Sequence, residues 1–368
     1  MLLVNKNITV VGMGLTGIAS ANFLVSKKAR VTLIDSKPRS KLEKDIRSLN
    51  SQIRTLFECS EIPLNSELIV LSPGVNINSP FLVKANKQGV PVISEIELAS
   101  RFTQTPIIAV TGTNGKSTVT TLIGDILKQA GKRVVVGGNL GRPFIDLLRV
   151  ENVDYFVLEI STFQLEGIKS FRPHIAIILN ITPDHLDRHK NFKEYSDLKG
   201  KISAFQTEED TLILNKDDEH VLKQAIHSKA KKVFFSMTQK VAKGTFLEGN
   251  FITSSFNEKE KHFLSVDGLR PPLKFQIENI LGAVAVTSLL NVTKDDVANV
   301  ATNFKGLDHR IELVRTVHGV DFVNDSKGTN VGALHKSLEN FSRPIILIAG
   351  GKDKGGDFHT LKIPFKKK

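Results

Sequence analysis

IIAVTGTNGKSTVTTLIGDILKQA, residues 107–130, contains the turn on which the reading of this chain depends. Ile107 to Val110 have the length and apolar character of a buried strand, and a helix is expected to run from Lys116 to about Ala130. Between them lies TGTNGKST at 111–118, broken by two glycines. Glycines let such a loop fold with successive N–H groups aimed at phosphate oxygens, and the following helix N-terminus adds a favourable dipole. Lys116 brings a point charge to the terminal phosphates, and the Ser117 hydroxyl can ligate magnesium. Gly112, Thr113, Asn114, Gly115, Lys116, Ser117 and Thr118 are therefore expected to bind ATP. The loop departs from G-x-x-x-x-G-K-[ST], because Val110 stands where the first glycine belongs. The plain alternative is a glycine turn that only caps a helix. Strand, loop, Lys-Ser and helix arrive in the order phosphate binding requires, which favours the loop.

Working towards the C-terminus, KRVVVGGNLG (132–141), DYFVLEIS (154–161), HIAIILNI (174–181) and DTLILN (210–215) are apolar runs broken by polar turns. Continuous rather than alternating hydrophobicity marks strands covered on both faces, as in a parallel sheet. Glu159 ends one of these strands, where a second magnesium contact belongs, although strands often end in acidic residues. His185 follows another strand in TPDHLDRH (182–189), with Asp184 and Asp187 as acidic neighbours or simple turn residues. Residues 233–275 predict short strands in a meander around Gly249-Asn250, and a helix is expected over 277–290. A third region opens near Asn303, where TVHGVDFVNDSKGTN (316–330) predicts a hairpin leading into a helix. PIILIAGG (344–351) predicts another buried strand.

Towards the N-terminus, NITVVG (7–12) is a strand ending in glycine, a helix follows from about Thr16 to Lys27, and RVTLID ends at Asp35. Gly12-x-Gly14-x-x-Gly17 with Asp35 fits a dinucleotide fingerprint, which alone would suggest an NAD-dependent oxidoreductase. The pattern shows only a tight turn that brings backbone near a phosphate. No dehydrogenase site is evident downstream, so NAD is not expected. LIVLSPG (68–74) and VPVISEIELASRF (90–102) complete an alternating α/β region, and TQTP at 103–106 is the expected linker.

The 368 residues suggest two or three domains. Lys and Arg number 50 against 38 acidic residues, a net charge of +12. The basic residues are spread along the chain without interleaved aromatics, so nucleic acid is not an expected partner. The excess would draw in phosphorylated small molecules. Cys59 is the single cysteine, which fits a reducing cytosol and excludes an internal disulfide. MLLVNKNITVVGMG lacks a signal-peptide layout, and no apolar run approaches a membrane span. The expectation is a cytoplasmic monomer with no membrane partner.

Taken together, GMGLTG (12–17), LSPGV (71–75), TGTNGKST (111–118), GNLG (138–141), LEISTFQLE (158–166), TPDHLDRH (182–189), DHR (308–310), NDSKGTN (324–330) and AGGKDKGGDF (349–358) resemble the Mur ligase family. GMGLTG, LSPG and STFQLE resemble its D-glutamate-adding branch. The resemblance implies an α/β, three-domain architecture: a Rossmann-like UDP-binding domain at 1–104, a central P-loop ATPase domain with a mainly parallel sheet at 105–303, and a Rossmann-like C-terminal domain at 304–368. It implies ATP-dependent ligation of D-glutamate to UDP-N-acetylmuramoyl-L-alanine through an acyl phosphate, in peptidoglycan precursor synthesis. It places Leu15, Thr16, Asp35, Ser36 and Ser72 along the UDP moiety, and Asn139, Ser161, Gln164 and His185 on the muramoyl part and its pyrophosphate. Lys116 and Ser117 would hold the ATP phosphates, while Ser117, Glu159, His185 and Lys199 would serve two Mg2+ sites. Lys199 matches a lysine the family carries as a carbamate; its own surroundings in sequence predict only a solvated helix lysine. Asn279, Arg310 and Asp325 match adenosine contacts, and Lys327, Thr329 and Lys354 match residues near the phosphate and the incoming D-glutamate.

Relatives of this kind continue beyond AGGKDKGGDF, whereas this chain stops ten residues later at KIPFKKK. The expectation is an incomplete C-terminal sheet with an unpaired apolar edge, and weak or absent ligation of D-glutamate. The alternatives are a non-catalytic remnant that binds ATP and UDP, or another amide ligase of the same superfamily.

Overall fold

Alternating apolar runs and glycine turns along the first hundred residues fold as five short strands and three helices. They are β1 (Asn7–Val11), α1 (Leu15–Ser26), β2 (Arg30–Ile34), β3 (Arg54–Leu56), β4 (Leu68–Leu71), α2 (Pro80–Lys87), β5 (Val92–Ser94) and α3 (Glu95–Ser100). The chain continues through β6 (Ile107–Thr111), α4 (Lys116–Gln129), β7 (Val134–Gly138), α5 (Phe144–Leu147), β8 (Tyr155–Glu159), α6 (Thr162–Glu166) and β9 (Ile175–Ile178). It then forms α7 (Phe192–Gly200), β10 (Thr211–Asn215), α8 (Glu219–Gln224), β11 (Lys231–Ser236), β12 (Gly244–Glu248), β13 (Phe251–Phe256), β14 (Lys259–Ser265), α9 (Ile277–Ser288) and α10 (Lys294–Asn303). The last elements are β15 (Glu312–Val317), β16 (Val320–Asn324) and α11 (Val331–Glu339). This computed structural model describes residues 2–43, 45–256, 259–269, 273–339, 341, 343–351, 357–362 and 365. By packing, the chain falls into one compact unit of Met1–Ala109 with Arg133–His174, and a second of Val110–Lys132 with Ile175–Lys368.

The first unit holds an all-parallel sheet in the order β3-β2-β1-β4-β5. Its central strands are buried on both faces: Ile8, Val10, Ile69 and Val70 are no more than 1% exposed. Edge strand β3, with the sequence RTL, carries no apolar run, and the sequence reading passed over it. Strands β7 and β8 pair in parallel in the same unit, and the Phe156 N–H donates to Pro106 O at 3.0 Å.

Helix α3 is the least expected part of this unit, because two of its six residues are buried acids. Glu97 is 0% and Glu95 is 1% exposed. Glu95 Oε1 accepts from the Ile145 N–H at 2.6 Å in α5, while its Oε2 is buried without a partner. Burial pushes this carboxyl up to about 7, against the pull of the Ile145 bond and helped by the nearby Asp146 charge. A carboxyl raised above its unfolded value of 4.5 favours folding while protonated, so that contribution fades as pH rises through 7. The amount at stake is on the order of 3 kcal/mol. Glu95→Gln is therefore expected to flatten the fall in thermal stability between about pH 5 and about pH 8. An unchanged slope in pH-resolved thermal melts would contradict this.

In the second unit the strands run β14-β13-β12-β11-β10-β9. Strands β9 to β12 are parallel, and β12, β13 and β14 form the antiparallel meander turning at Gly249-Asn250. Helix α9 covers this sheet, packing on β11, β12 and α4. Its Leu281, Ala283, Val284, Ala285 and Val286 are all 0% exposed. The run Ile280–Val286 has no polar side chain on any face, and such a segment has to be buried.

The third region forms the expected hairpin β15–β16 and the expected helix α11. Residues 344–351 do not form the buried strand predicted for them: they carry no strand structure, and Ile346 and Ile348 are 94% and 96% exposed. Among the described residues no strand pairs with this run. An apolar run becomes a buried strand only where a sheet is there to receive it.

Candidate active site

The phosphate loop occupies the carboxyl end of β6 in the second unit. Gly115 precedes α4 with φ +83°, a left-handed conformation that glycine adopts without strain. A β-carbon there would lie 2.2 Å from Asn279 Oδ1, which brings an expected ATP residue of α9 against the loop. The N-cap of α4 is Gly115, which has no side chain to cap the helix. Asn180 braces the loop from β9: its Oδ1 accepts from the Asn114 N–H at 2.8 Å, and its Nδ2 donates to Asn114 O at 3.1 Å.

Two lysines converge on one carbonyl. Lys116 Nζ donates to Gly112 O and to Thr113 O, each at 2.9 Å, and Lys199 Nζ donates to the same Gly112 O at 2.7 Å. Lys199 is 2% exposed and its Nζ lies 4.5 Å from the centroid of the Tyr195 ring. The reading of Lys199 as a solvated helix lysine is thus corrected. The sequence of α7 is largely polar, but the helix turns Tyr195, Leu198 and Lys199 inward, at 2%, 7% and 2% exposure. Tyr195 Oη lies 3.0 Å from Thr113 Oγ1, which donates to Thr182 O at 3.1 Å and accepts from the Thr182 N–H at 3.0 Å. A hydroxyl has one proton to give, so Tyr195 is the donor to Thr113. Burial holds the phenol protonated, well above its ordinary value.

His185 sits in the same unit with φ +54°, and its N–H donates to Asp184 Oδ1 at 2.9 Å. Its Nε2 is 3.8 Å from Asp184 Oδ2. Arg310 Nη2 donates to Ser117 Oγ at 3.2 Å, a bond that uses one of that oxygen's two lone pairs. Thr118 is buried behind the loop at 3%. Asp325 Oδ1 accepts from the Ile311 N–H at 3.2 Å, and its Oδ2 accepts from Ser337 Oγ. Lys327 and Thr329 are exposed on the turn before α11, and Lys354 lies outside the described residues.

The first unit carries two further groups of expected site residues. Around the glycine turn, Gly12 adopts φ +97°, Ser72 Oγ donates to Gly12 O at 2.9 Å, and a β-carbon on Gly17 would come within 1.8 Å of Gly12 O. The start of α1 therefore presses directly on the turn, with Leu15 64% exposed, Thr16 half-buried and no side-chain cap. Asp35 accepts from the Met13 N–H at 2.7 Å and from the Lys37 N–H at 2.9 Å, and exposed Ser36 lies between those contacts. At the end of β8, Glu159 is 3% exposed; its Oε1 accepts from Asn139 Nδ2 at 2.6 Å, while its Oε2 is buried without a partner. An unpaired buried carboxylate oxygen suits a cation. Among the described residues no three His, Cys, Asp or Glu side chains cluster as a metal site, so any magnesium would also need hydroxyl, water or phosphate oxygens. Ser161 and Gln164 form a reciprocal capping box on α6, which already occupies part of their hydrogen-bonding capacity.

The model of the Mur ligase MurD-like N-terminal domain matches residues 6–94, and that of the Mur ligase middle domain matches 110–287. The chain is 44% identical over 360 residues to the UDP-N-acetylmuramoylalanine--D-glutamate ligase of Koribacter versatilis (strain Ellin345), covering 97% of this chain and 80% of that protein. The chain belongs to the Mur ligase family. The corresponding ligase of Geotalea uraniireducens (strain Rf4) is also 44% identical, over 98% of this chain and 80% of its own length. Solved Mur ligases share the fold at lower identity. UDP-N-acetylmuramate-alanine ligase MurC from Thermotoga maritima aligns at TM-score 0.53 and 20% identity, over 91% of this chain and 77% of its own. MurF from Acinetobacter baumannii aligns at 0.55 and 17%, over 86% and 63%. The expected α/β architecture and ATP-dependent ligase class hold for this Mur ligase. No helix among the described residues is long and apolar enough to cross a membrane.

Two partners in the loop's bracing escaped the sequence reading. Asn180 is one; a strand-terminal asparagine beside a glycine loop was the available signal. Asn330, whose Nδ2 donates to Asn114 Oδ1 at 3.1 Å, is the other.

Proposed function

We propose that this Mur ligase uses ATP to join D-glutamate to the L-alanyl carboxylate of UDP-N-acetylmuramoyl-L-alanine, in the cytoplasm. The observation that carries the reading is the meeting of Lys116 and Lys199 on the Gly112 carbonyl at the mouth of the phosphate loop. The choice of D-glutamate rests on the names of the relatives at 44% identity.

A carboxylate is a poor acyl donor, because oxide is a very bad leaving group. In the proposed reaction a carboxylate oxygen attacks the γ-phosphorus, the bond to the β–γ bridging oxygen breaks, and ADP departs. The amine of D-glutamate then attacks the acyl carbon, loses a proton, and inorganic phosphate leaves. Lys116 turns from its two carbonyls to the moving phosphoryl group and balances its charge. Ser117, Glu159, His185 and Lys199 are proposed to hold two magnesium ions, whose contribution is to neutralise phosphate charge. Two ammonium groups on one carbonyl oxygen repel each other. Addition of carbon dioxide to the Lys199 amine, with release of two protons to solvent, would give a carbamate, which replaces that repulsion with attraction and supplies an oxygen ligand.

The remaining assignments follow the same reading. Leu15, Thr16, Asp35, Ser36 and Ser72 line the UDP site, supported by their grouping around the glycine turn and the open start of α1. Asn139, Ser161, Gln164 and His185 face the muramoyl part. Asn279, Arg310 and Asp325 hold adenosine, supported by the approach of Asn279 to Gly115 and of Arg310 to Ser117. Lys327, Thr329 and Lys354 attend the incoming amino acid. The proposed domains are 1–104, 105–303 and 304–368, with the family matches at 6–94 and 110–287 falling inside the first two.

The test is phosphate release from ATP in the presence of UDP-N-acetylmuramoyl-L-alanine and one amino acid at a time. D-glutamate is expected to stimulate release, with L-glutamate, L-alanine and L-lysine at background. Stimulation by another amino acid, or by none, would overturn the substrate assignment.

A further inference from the structure

Asn330 stands at the start of α11, far from the phosphate loop in sequence, yet its side chain ties three segments together. Its Oδ1 accepts from the Ala333 N–H at 2.7 Å and so caps α11. Its Nδ2 donates to Asn114 Oδ1 and to Asp184 Oδ2, each at 3.1 Å. The one acceptor and both protons of the amide are thereby used. Asn114 is the loop residue whose backbone Asn180 braces from the other side, and Asp184 accepts from the N–H of His185. Asp184 is 8% exposed, so its charge is largely removed from water and depends on such donors.

We propose that Asn330 is a positioning residue that holds the phosphate loop and the His185 segment in their nucleotide-binding arrangement. This inference rests on the ATP-binding reading given above. Capping alone does not explain the residue, because aspartate or serine caps a helix equally well. Only an amide can cap through its oxygen while donating both protons to two other acceptors. Helix α11 thus communicates with the loop through one side chain, and preorganising the loop in advance of the ligand raises affinity.

Asn330→Asp separates the two roles. An aspartate keeps the α11 cap but sets a carboxylate against the buried Asp184. Asn114 can rotate its amide to face the new charge; Asp184 has no proton to offer. The full chain is titrated with Mg-ATP by calorimetry, and unliganded thermal stability is measured in parallel. For Asn330→Asp the dissociation constant is expected to rise about tenfold, the scale of one or two lost hydrogen bonds, while the unliganded chain still melts cooperatively, a few degrees below the parent. Adding Asp184→Asn restores a donor opposite the carboxylate and is expected to bring affinity back to within about threefold. Parent-like affinity in Asn330→Asp overturns the inference, as does a double variant no better than the single one. Failure of the parent chain itself to bind Mg-ATP would instead overturn the ATP-binding reading.

Discussion

Glu97→Ala is expected to remove roughly 3–6 kcal/mol of folding stability, enough to leave much of the chain unfolded at 37 °C. The side chain is 0% exposed and works as a five-point acceptor. Its Oε2 takes the N–H groups of Lys169, Ser170 and Phe171, each at 2.8 Å; its Oε1 takes Ser170 Oγ at 2.6 Å and Arg101 Nε at 2.8 Å. Alanine would orphan those donors around Phe171, which is itself 0% exposed. Glutamine would not rescue the site, because its Nε2 would face N–H groups. Burial by itself raises this carboxyl, but the bonds from Lys169, Ser170 and Arg101 outweigh it and hold it below 4.5. A depressed carboxyl contributes fully above its unfolded value and loses that contribution as pH falls through the folded one. Glu97→Gln should therefore lack part of the parent's loss of stability on acidification below about pH 4.5. Urea unfolding at neutral pH measures the main effect, and a loss under about 1 kcal/mol for Glu97→Ala would contradict it.

Gly115→Ala is expected to weaken Mg-ATP binding by about a hundredfold while lowering the melting temperature by only a few degrees. The left-handed backbone at φ +83° costs an alanine roughly 1–2 kcal/mol. The new methyl would also meet Asn279 Oδ1 at 2.2 Å. The asparagine end can swing away, but doing so gives up its bond to Gln276 at 3.1 Å and its place in the proposed adenosine site. Both halves of the nucleotide site are disturbed by one methyl group. Calorimetry against the parent checks this, and an affinity within threefold of the parent would show that the loop tolerates the side chain.

How much of this was legible in advance depends on how local each signal is. The P-loop could be read because strand, glycines, Lys116-Ser117 and helix are neighbours in sequence, and each restricts the others. The glycine turn at Gly12 to Gly17 and the parallel strands were legible for the same reason. Lys199 was legible only through the family resemblance, since its partner Gly112 O lies 87 residues away and α7 reads as a polar helix. Asn330 was hidden by a still larger separation, 216 residues from Asn114. The buried acids Glu95 and Glu97 carried no signal in the sequence, because only the fold reveals the N–H groups aimed at them. Residues 344–351 show the opposite error: apolar content alone was read as a strand, although pairing belongs to the neighbours as much as to the run itself.

The account depends most on a nucleoside triphosphate being held at the loop before α4. Calorimetric titration of Mg-ATP into the folded chain, run beside Lys116→Met, tests it most directly. The account predicts saturable one-site binding to the parent and affinity weakened by about a hundredfold or more in the variant, where the charge facing the terminal phosphates is gone. A folded parent chain that gives no heat of association, or a variant that binds as the parent does, would contradict it.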